Sequence, residues 1–316
     1  MMLYIFKRLV SIIPILLVVA IAIFSIIHLT PGDPATTILG SEASPEQLES
    51  LREELGLNRP LPEQFIFWIL DVVRGDLGSS IFMNKPVSEV FLSHLGPTLS
   101  LSIFAQIIAI LIAIPSGVLA SRKRGKATDQ FVMSTALLGI SIPSFLLGLF
   151  FILVFSVNLG WFPVSGYKPL SAGFFTHLEY LVLPAVALGF MQSALITRMT
   201  RSSMLDTLSQ NFIKTARSKG LSQSIVIYKH ALRNAFVTIL EVIGHSFTTL
   251  LAGAVVVEFV FNIPGVGQLI VNSIGRRDFT LIQGSVLLIA IAYVFINLII
   301  DLLYGVVDPR VRLNRK

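Results

Sequence analysis

Glu241 and His245 stand four positions apart in a stretch that is otherwise apolar or weakly polar. On a helix that spacing puts both side chains on one face, a turn apart, where they can share or relay a proton. Asn297 and Asp301 repeat the spacing in the last apolar stretch. An ionised side chain at the centre of a bilayer costs about 3 kcal/mol or more, so each such group needs a partner or a task. Three readings stand for Glu241 and His245: they line a translocation pathway or gate, they pair between helices, or Glu241, early in its stretch, lies near a membrane surface. Asp301 reads as a structural anchor. Gln106 and Gln192 set an amide among apolar neighbours. Each could line a pathway or hydrogen-bond a neighbouring helix.

Other chemistry is thinly supported. Ser141 and His245 are the minimum for a nucleophile and its base, the start of an intramembrane hydrolase. One serine and one histidine make a weak constellation, so no catalytic residue is assigned. The absence of cysteine excludes disulfides and thiolate metal sites, and no metal-ligand spacing stands out. The run RGKAT at 124–128 lacks the first glycine of a phosphate-binding loop. The chain is therefore expected to bind no cofactor and to hydrolyse no ATP.

The elements that position these residues must be membrane helices. The composition is 54% hydrophobic and 13% charged, with a mean hydropathy of +0.80. Soluble domains carry about a quarter charged residues. A helix crosses the hydrocarbon core with about 20 apolar residues. Six segments meet or approach that length, at about 9–29, 98–120, 131–160, 180–197, 235–257 and 279–304. Lys7 and Arg8 precede the first, but its apolar run is longer than a signal-peptide core and no small-residue cleavage site follows. It is expected to be a retained helix. Pro115, Pro143 and Pro184 are expected to kink their spans.

Lys and Arg in short loops orient the spans. Lys7, Arg8, Arg122, Lys123, Arg124, Lys126, Arg198, Arg201, Lys214, Arg217, Lys219, Lys229, Arg233, Arg310, Arg312, Arg315 and Lys316 fall on the side of both termini, against Lys168, Arg276 and Arg277 opposite. Both termini are thus expected in the cytoplasm. The net charge of +6 then needs no nucleic acid as a partner. The fold class is an all-α membrane protein of six transmembrane helices in one domain, 1–316, with a long extracytoplasmic region at 30–97.

That region should contain short helices. In SPEQLESLREELGL, Ser44 can cap, Pro45 suits the first turn, Gln47 can complete a capping box and Gly56 can end the helix. Phe65, Trp68, Ile69 and Val72 then fall at helical spacing in a segment too short to span. The region serves either as a structural lid or as a platform for an external partner. In the loop 258–278, Pro264, Gly265 and Gly267 predict a turn within a re-entrant hairpin or scoop.

The segment 198–234 is basic and lies between two spans. Ser209 is expected to cap a helix through Lys219, Gly220 to end it in the left-handed conformation under Leu221, and Ser222 to start a second short helix. An interfacial helix on anionic lipid and a handle for another protein explain the composition equally well. The stretches TARSKGLS and KHALRNA resemble the cytoplasmic EAA loop of permease subunits in binding-protein-dependent ABC importers. KRL, HLTPGDPA, LGLNRPL, RGDLGSS, GISIPSF, VVVEFVFNIPGVGQLI and DLLYGVVDPRVR, in that order, extend the likeness to the peptide and nickel branch over nearly the whole chain.

The resemblance implies that 198–234 carries a coupling helix docking on a cytoplasmic ATPase. Ala216, Gly220 and Leu221 match the centre of the motif, flanked by Thr215, Arg217 and Lys219. Thr215 begins the TAR triplet, and the glutamate of the motif's name is absent. The implied partners are a second homologous permease, two ATPase subunits holding ATP and Mg²⁺, an extracytoplasmic solute-binding protein and the lipid bilayer. The implied location is a bacterial or archaeal plasma (inner) membrane, and the implied solutes are di- and oligopeptides, glutathione, nickel complexes or some sugars. The rival from the residues alone is a stand-alone proton-coupled carrier using Glu241 and His245, although no internal repeat supports it.

Overall fold

The computed structural model describes residues 2–29, 34–40 and 43–307, and the side chains of 2–11, 27, 37 and 301–307 lie outside that description. Lys7, Arg8, the Asp301 anchor and the basic C-terminal residues are therefore expectations that fall outside the described residues. Helices follow in the order α1 (Met2–Leu29), α2 (Pro34–Leu39), α3 (Pro45–Glu54), α4 (Leu61–Val73), α5 (Val87–Arg122), α6 (Ala127–Ser141) and α7 (Ser144–Phe151). Next come α8 (Phe174–Leu208), α9 (Asn211–Ser218), α10 (Arg233–Phe261), α11 (Val266–Arg276) and α12 (Phe279–Val307). Among the described residues no strand forms, apart from an isolated bridge between Ser79 and Pro86.

Among the described residues four helices are long and apolar enough to cross a bilayer: α5, α8, the helix Ile225–Phe261 that contains α10, and Phe279–Ile300 of α12. The expected span 131–160 is not one helix. It breaks between α6 and α7, and α6 meets the helix Ser144–Asn158 at 98°. The cause is Pro143, whose ring forces the residue before it out of helical geometry. Ile142 accordingly sits at φ −91°, ψ 120°. Pro97 and Pro115 lie inside α5, and Pro184 inside α8, without ending either helix. Helices also overrun their expected limits, and α8 continues through Arg198 and Arg201, which were assigned to the following loop. Apolar side chains on these helices remain exposed, with Leu111 at 68% and Phe131 at 73%, as a lipid-facing surface requires.

The chain divides into two compact units, Met1–Leu95 with Leu269–Phe295, and Gly96–Gln268 with Ile296–Lys316. In the first, α4 lays Phe65, Trp68, Ile69 and Val72 against Ala20 and Ile23 of α1, bearing out the expected stripe. The α3 capping box is present, with Gln47 N donating to Ser44 Oγ and Ser44 N donating to Gln47 Oε1. Gly56, at φ +67°, ends the final turn as expected. Leu48 and Leu51, three positions apart on α3, are half-buried, and Leu55 just after it is exposed. Buried Asp278 accepts from Ser80 Oγ at 2.6 Å and from Leu281 N at the start of α12.

In the second unit α8 is the central helix, packed on α6, α7 and α10. Without water to drive helices together, membrane helices associate by close contact, which small residues permit. A Cβ on Gly189 would stand 2.5 Å from the carbonyl oxygen of Ala105, so α5 and α8 meet there backbone to backbone. We expect Gly189→Ala to force the two helices apart and destabilise the protein by about 1–3 kcal/mol, the usual cost of overpacking. Gly253→Ala, whose added carbon would meet Leu188 Cδ1 at an ordinary 3.6 Å, is expected to be tolerated. Thermal unfolding of both variants in one detergent measures the difference.

Candidate coupling segment and intramembrane polar residues

The segment after α8 is short, exposed on one side and anchored on the other. Ile213 and Ala216, three positions apart on α9, are buried with Val226, Ile227 and Ala231 in a cluster that includes Met204 and Ile196 of α8. The rest of α9 is exposed, including Lys214, Thr215 and Arg217, and the exposure continues through Lys219, Gly220 and Leu221. Gly220 has φ +75°. Its N–H bonds Arg217 O at 2.9 Å and the Leu221 N–H reaches Ala216 O, closing the helix end through two backbone bonds. Thr215 Oγ1 and Ser218 Oγ donate back to the carbonyls of Asn211 and Lys214. The Thr215 hydroxyl is thus used within α9.

Two expectations here are corrected. Ser209 does not cap α9. Because α8 runs on to Leu208, Ser209 closes α8, its Oγ donating to Asp206 O at 2.7 Å, and Gln210 occupies the N-terminal cap position of α9. The second short helix is not separate either. Val226 N bonds Ser222 O, Ile225–Leu232 is π-helical, and it passes straight into α10 with no glycine or proline to interrupt it. Gly220 therefore joins α9 to a helix that runs on to Phe261.

Along α10, Asn234, Thr238, Glu241, His245 and Thr249 are all exposed, spaced three or four positions apart on one face. Glu241 and His245 form no ion pair with each other among the described residues. Gln106 and Gln192 are instead buried within the second unit, on α5 and α8. Gln106 Oε1 accepts from Ser246 Oγ at 3.1 Å, while its Nε2 has no partner among the described residues. The four polar residues singled out by sequence therefore divide into an exposed pair and a buried pair. Asn297 Oδ1 accepts from Thr248 Oγ1. Ser141 Oγ donates to Leu137 O, one turn back, and not to His245.

Two polar junctions escaped the sequence reading. Asp129, buried at the start of α6, accepts from Arg201 Nε at 2.6 Å and Nη2 at 2.7 Å, and from Gly125 N at 2.9 Å. This two-pronged pair ties the α5–α6 turn to the end of α8 that leads into α9. A lone acid just before an apolar run, amid arginines and lysines, was the available signal. The second junction is Glu258, fully buried on α10. Its Oε1 accepts from Thr98 Oγ1 at 2.6 Å, and its Oε2 from Gly267 N at 2.8 Å and Gln268 N at 3.1 Å. Thr98 Oγ1 in turn accepts from Val266 N. The expected turn glycines serve this junction: a Cβ on Gly265 or Gly267 would fall within 3 Å of the Glu258 carboxylate. Left-handed backbone in the turn belongs to Asn262, at φ +51°.

Residues 109–313 match the family described as binding-protein-dependent transport system inner membrane component, and residues 1–102 match its N-terminal model. The chain belongs to that family and is a permease subunit of an ATP-driven, binding-protein-dependent importer, a multi-pass membrane protein. It is 42% identical to a probable peptide ABC transporter permease of Sinorhizobium fredii, covering 98% of this chain and 99% of that one. The dipeptide transport permease DppB of Alkalihalophilus pseudofirmus is 41% identical, over 99% of this chain and 100% of its own. The glutathione transport permease GsiC of Salmonella typhimurium is 42% identical over 98% of each. Among solved structures, an inward-facing MetNI methionine ABC transporter chain superposes with a TM-score of 0.58 at 20% identity, covering 69% of this chain and 96% of that chain, a likeness of fold. Family membership decides against the stand-alone carrier.

Removing Arg201 would leave Asp129 buried with only the Gly125 amide. We expect Arg201→Ala to destabilise the protein by about 1.5–3 kcal/mol, the range for hydrogen bonds to charged groups. Arg201→Lys should recover only part of this, since an ammonium cannot reproduce the fork. Unfolding midpoints in detergent, with Asp129→Asn/Arg201→Ala as the double variant, report the coupling.

Proposed function

We propose that this chain forms half of a translocation pathway with a second, homologous permease, and that two ATPase subunits grip it through α9 and the Gly220 turn. The observation that carries the reading is the surface of that turn. Lys214, Arg217 and Lys219 lie exposed beside Phe212, Leu221, Ile225 and Tyr228, which are also exposed. Apolar and basic side chains presented together on a short, anchored helix suit a protein groove. A lipid surface would favour the apolar groups on one side and the basic groups on the other. Thr215 and Ala216 set the spacing of this face, and no salt bridge from a motif glutamate contributes.

The membrane topology goes with it. Six spans, α1, α5, the bent α6–α7 pair, α8, the Ile225–Phe261 helix and α12, place both termini and α9 in the cytoplasm, in keeping with the lysines and arginines of the short loops. The polar face of α10 supports a water-filled pathway, because Thr238, Glu241, His245 and Thr249 would be costly against lipid. Gln106 and Gln192 lie behind that face, in the packed interior. The membrane is a bacterial inner membrane, and an extracytoplasmic binding protein delivers the solute, a di- or oligopeptide or a similar small molecule such as glutathione. The chain binds no cofactor itself. ATP and Mg²⁺ reside on the ATPases, whose closure draws the two coupling helices together and shifts the permeases between inward-open and outward-open states.

The test is a pull-down through a tag on this chain from detergent-solubilised native membranes. We expect co-purification of an ATPase and a second permease, with ATP hydrolysis stimulated in the assembly. Gly220→Val puts a β-branched residue at positive φ, at a local cost of about 1–2 kcal/mol. A side chain there meets open space, so the permease should still fold and insert while stimulation is lost. Stimulation equal to the unmodified protein in the Val variant would refute the handle.

A further inference from the structure

Glu258 is a fully buried carboxylate far along the chain from α9. It lies on α10, the helix that at its other end continues from the Gly220 turn. All three of its hydrogen bonds come from donors: the Thr98 hydroxyl on α5 and the Gly267 and Gln268 amides on α11. With Thr98 Oγ1 taking the Val266 amide, the first three N–H groups of α11 are satisfied entirely by side chains from other helices. A free helix N-terminus carries partial positive charge, and an anion there holds it strongly. The absence of side chains at Gly265 and Gly267 lets the backbone come close enough for this to happen.

We propose that Glu258 is a positioning residue that transmits the nucleotide state of the importer from α10 to the hairpin 262–268. The reasoning is mechanical. Ile225–Phe261 is an unbroken helix with the coupling turn at its start and Glu258 one turn from its end. A displacement imposed at the turn arrives at Glu258. The bonds from the carboxylate to two amides of α11, and through Thr98 to a third, then oblige the hairpin to follow. Apolar contacts at this place would slide. Charge-assisted bonds to backbone amides are directional and hold register. The inference rests on the reading of α9 as the site of ATPase contact.

Hydrogen–deuterium exchange on the purified importer, with and without Mg²⁺ and adenylyl imidodiphosphate, tests it without knowledge of the solute. In the unmodified complex nucleotide should alter exchange at both 211–221 and 262–268. In Glu258→Gln, which puts an NH₂ group where an acceptor is needed, the response at 211–221 should persist and that at 262–268 should be lost. Glu258→Asp should restore part of it. Thr98→Val, which removes the hydroxyl bridge and leaves the carboxylate, should weaken the response at 262–268 and spare that at 211–221. A hairpin response in Glu258→Gln equal to the unmodified complex overturns the proposal, as does a hairpin indifferent to nucleotide while α9 responds. Failure of both Glu258→Gln and Thr98→Val to assemble would reduce the junction to a structural cap and overturn it too. An unmodified complex in which 211–221 ignores nucleotide refutes the coupling reading itself, a result readily told from the others.

Discussion

Inside a bilayer no water is available for an unpaired backbone amide or carbonyl, and each one left open costs several kcal/mol. The architecture follows from that single demand. Crossing segments are helices because a helix settles its own backbone, and they run long because an end inside hydrocarbon would expose several groups at once. Where the chain does break, the open groups are answered locally. Gly220 closes α9 by folding its last carbonyls onto two amides. Asp278 accepts from the Leu281 amide in the first turn of α12. The start of α11 is closed by a hydroxyl and a carboxylate from α5 and α10. The starts of α11 and α12 are thus met by polar side chains, and the end of α9 by the backbone alone.

The same scarcity of water changes what holds helices together. Lipid tails are as apolar as leucine, so contact distance and polar pairing decide who packs on whom. Gly189 and Ala105 meet at backbone distance, and Asp129 binds Arg201 through two parallel bonds. Against that background the exposed polar face of α10 stands apart. Its side chains are not consumed by packing within the chain, whereas the amides of Gln106 and Gln192 are buried.

What could be read from the sequence was local. The capping box of α3 links residues three apart, the apolar stripe of α4 repeats every turn, and the positive φ of Gly220 follows from a glycine after a helix with a leucine behind it. Helix limits were less legible, because charged residues end a hydrophobic run without ending a helix; α8 continues through Arg198 and Arg201. Pro143 was read as a kink and produced a full break. The glycines of the 258–268 hairpin were attributed to turn geometry, while their task is to leave room for a carboxylate. Glu258 and Thr98 are 160 positions apart, and Asp129 and Arg201 are 72 apart. No spacing rule joins such residues; only the packed helices do.

The continuous helix Ile225–Phe261 has 37 residues. At about 1.5 Å per residue it is about 55 Å long, well beyond the roughly 30 Å of hydrocarbon it would cross. Such a rod is a lever. Pivoted near one end, a tilt of about 5° moves the other by about 5 Å, nearly the rise of one helical turn. Small rotations at one membrane face therefore become displacements the size of a side chain at the other. The π-helical stretch Ile225–Leu232 lies at one end of that lever, and Glu258 lies one turn from the other.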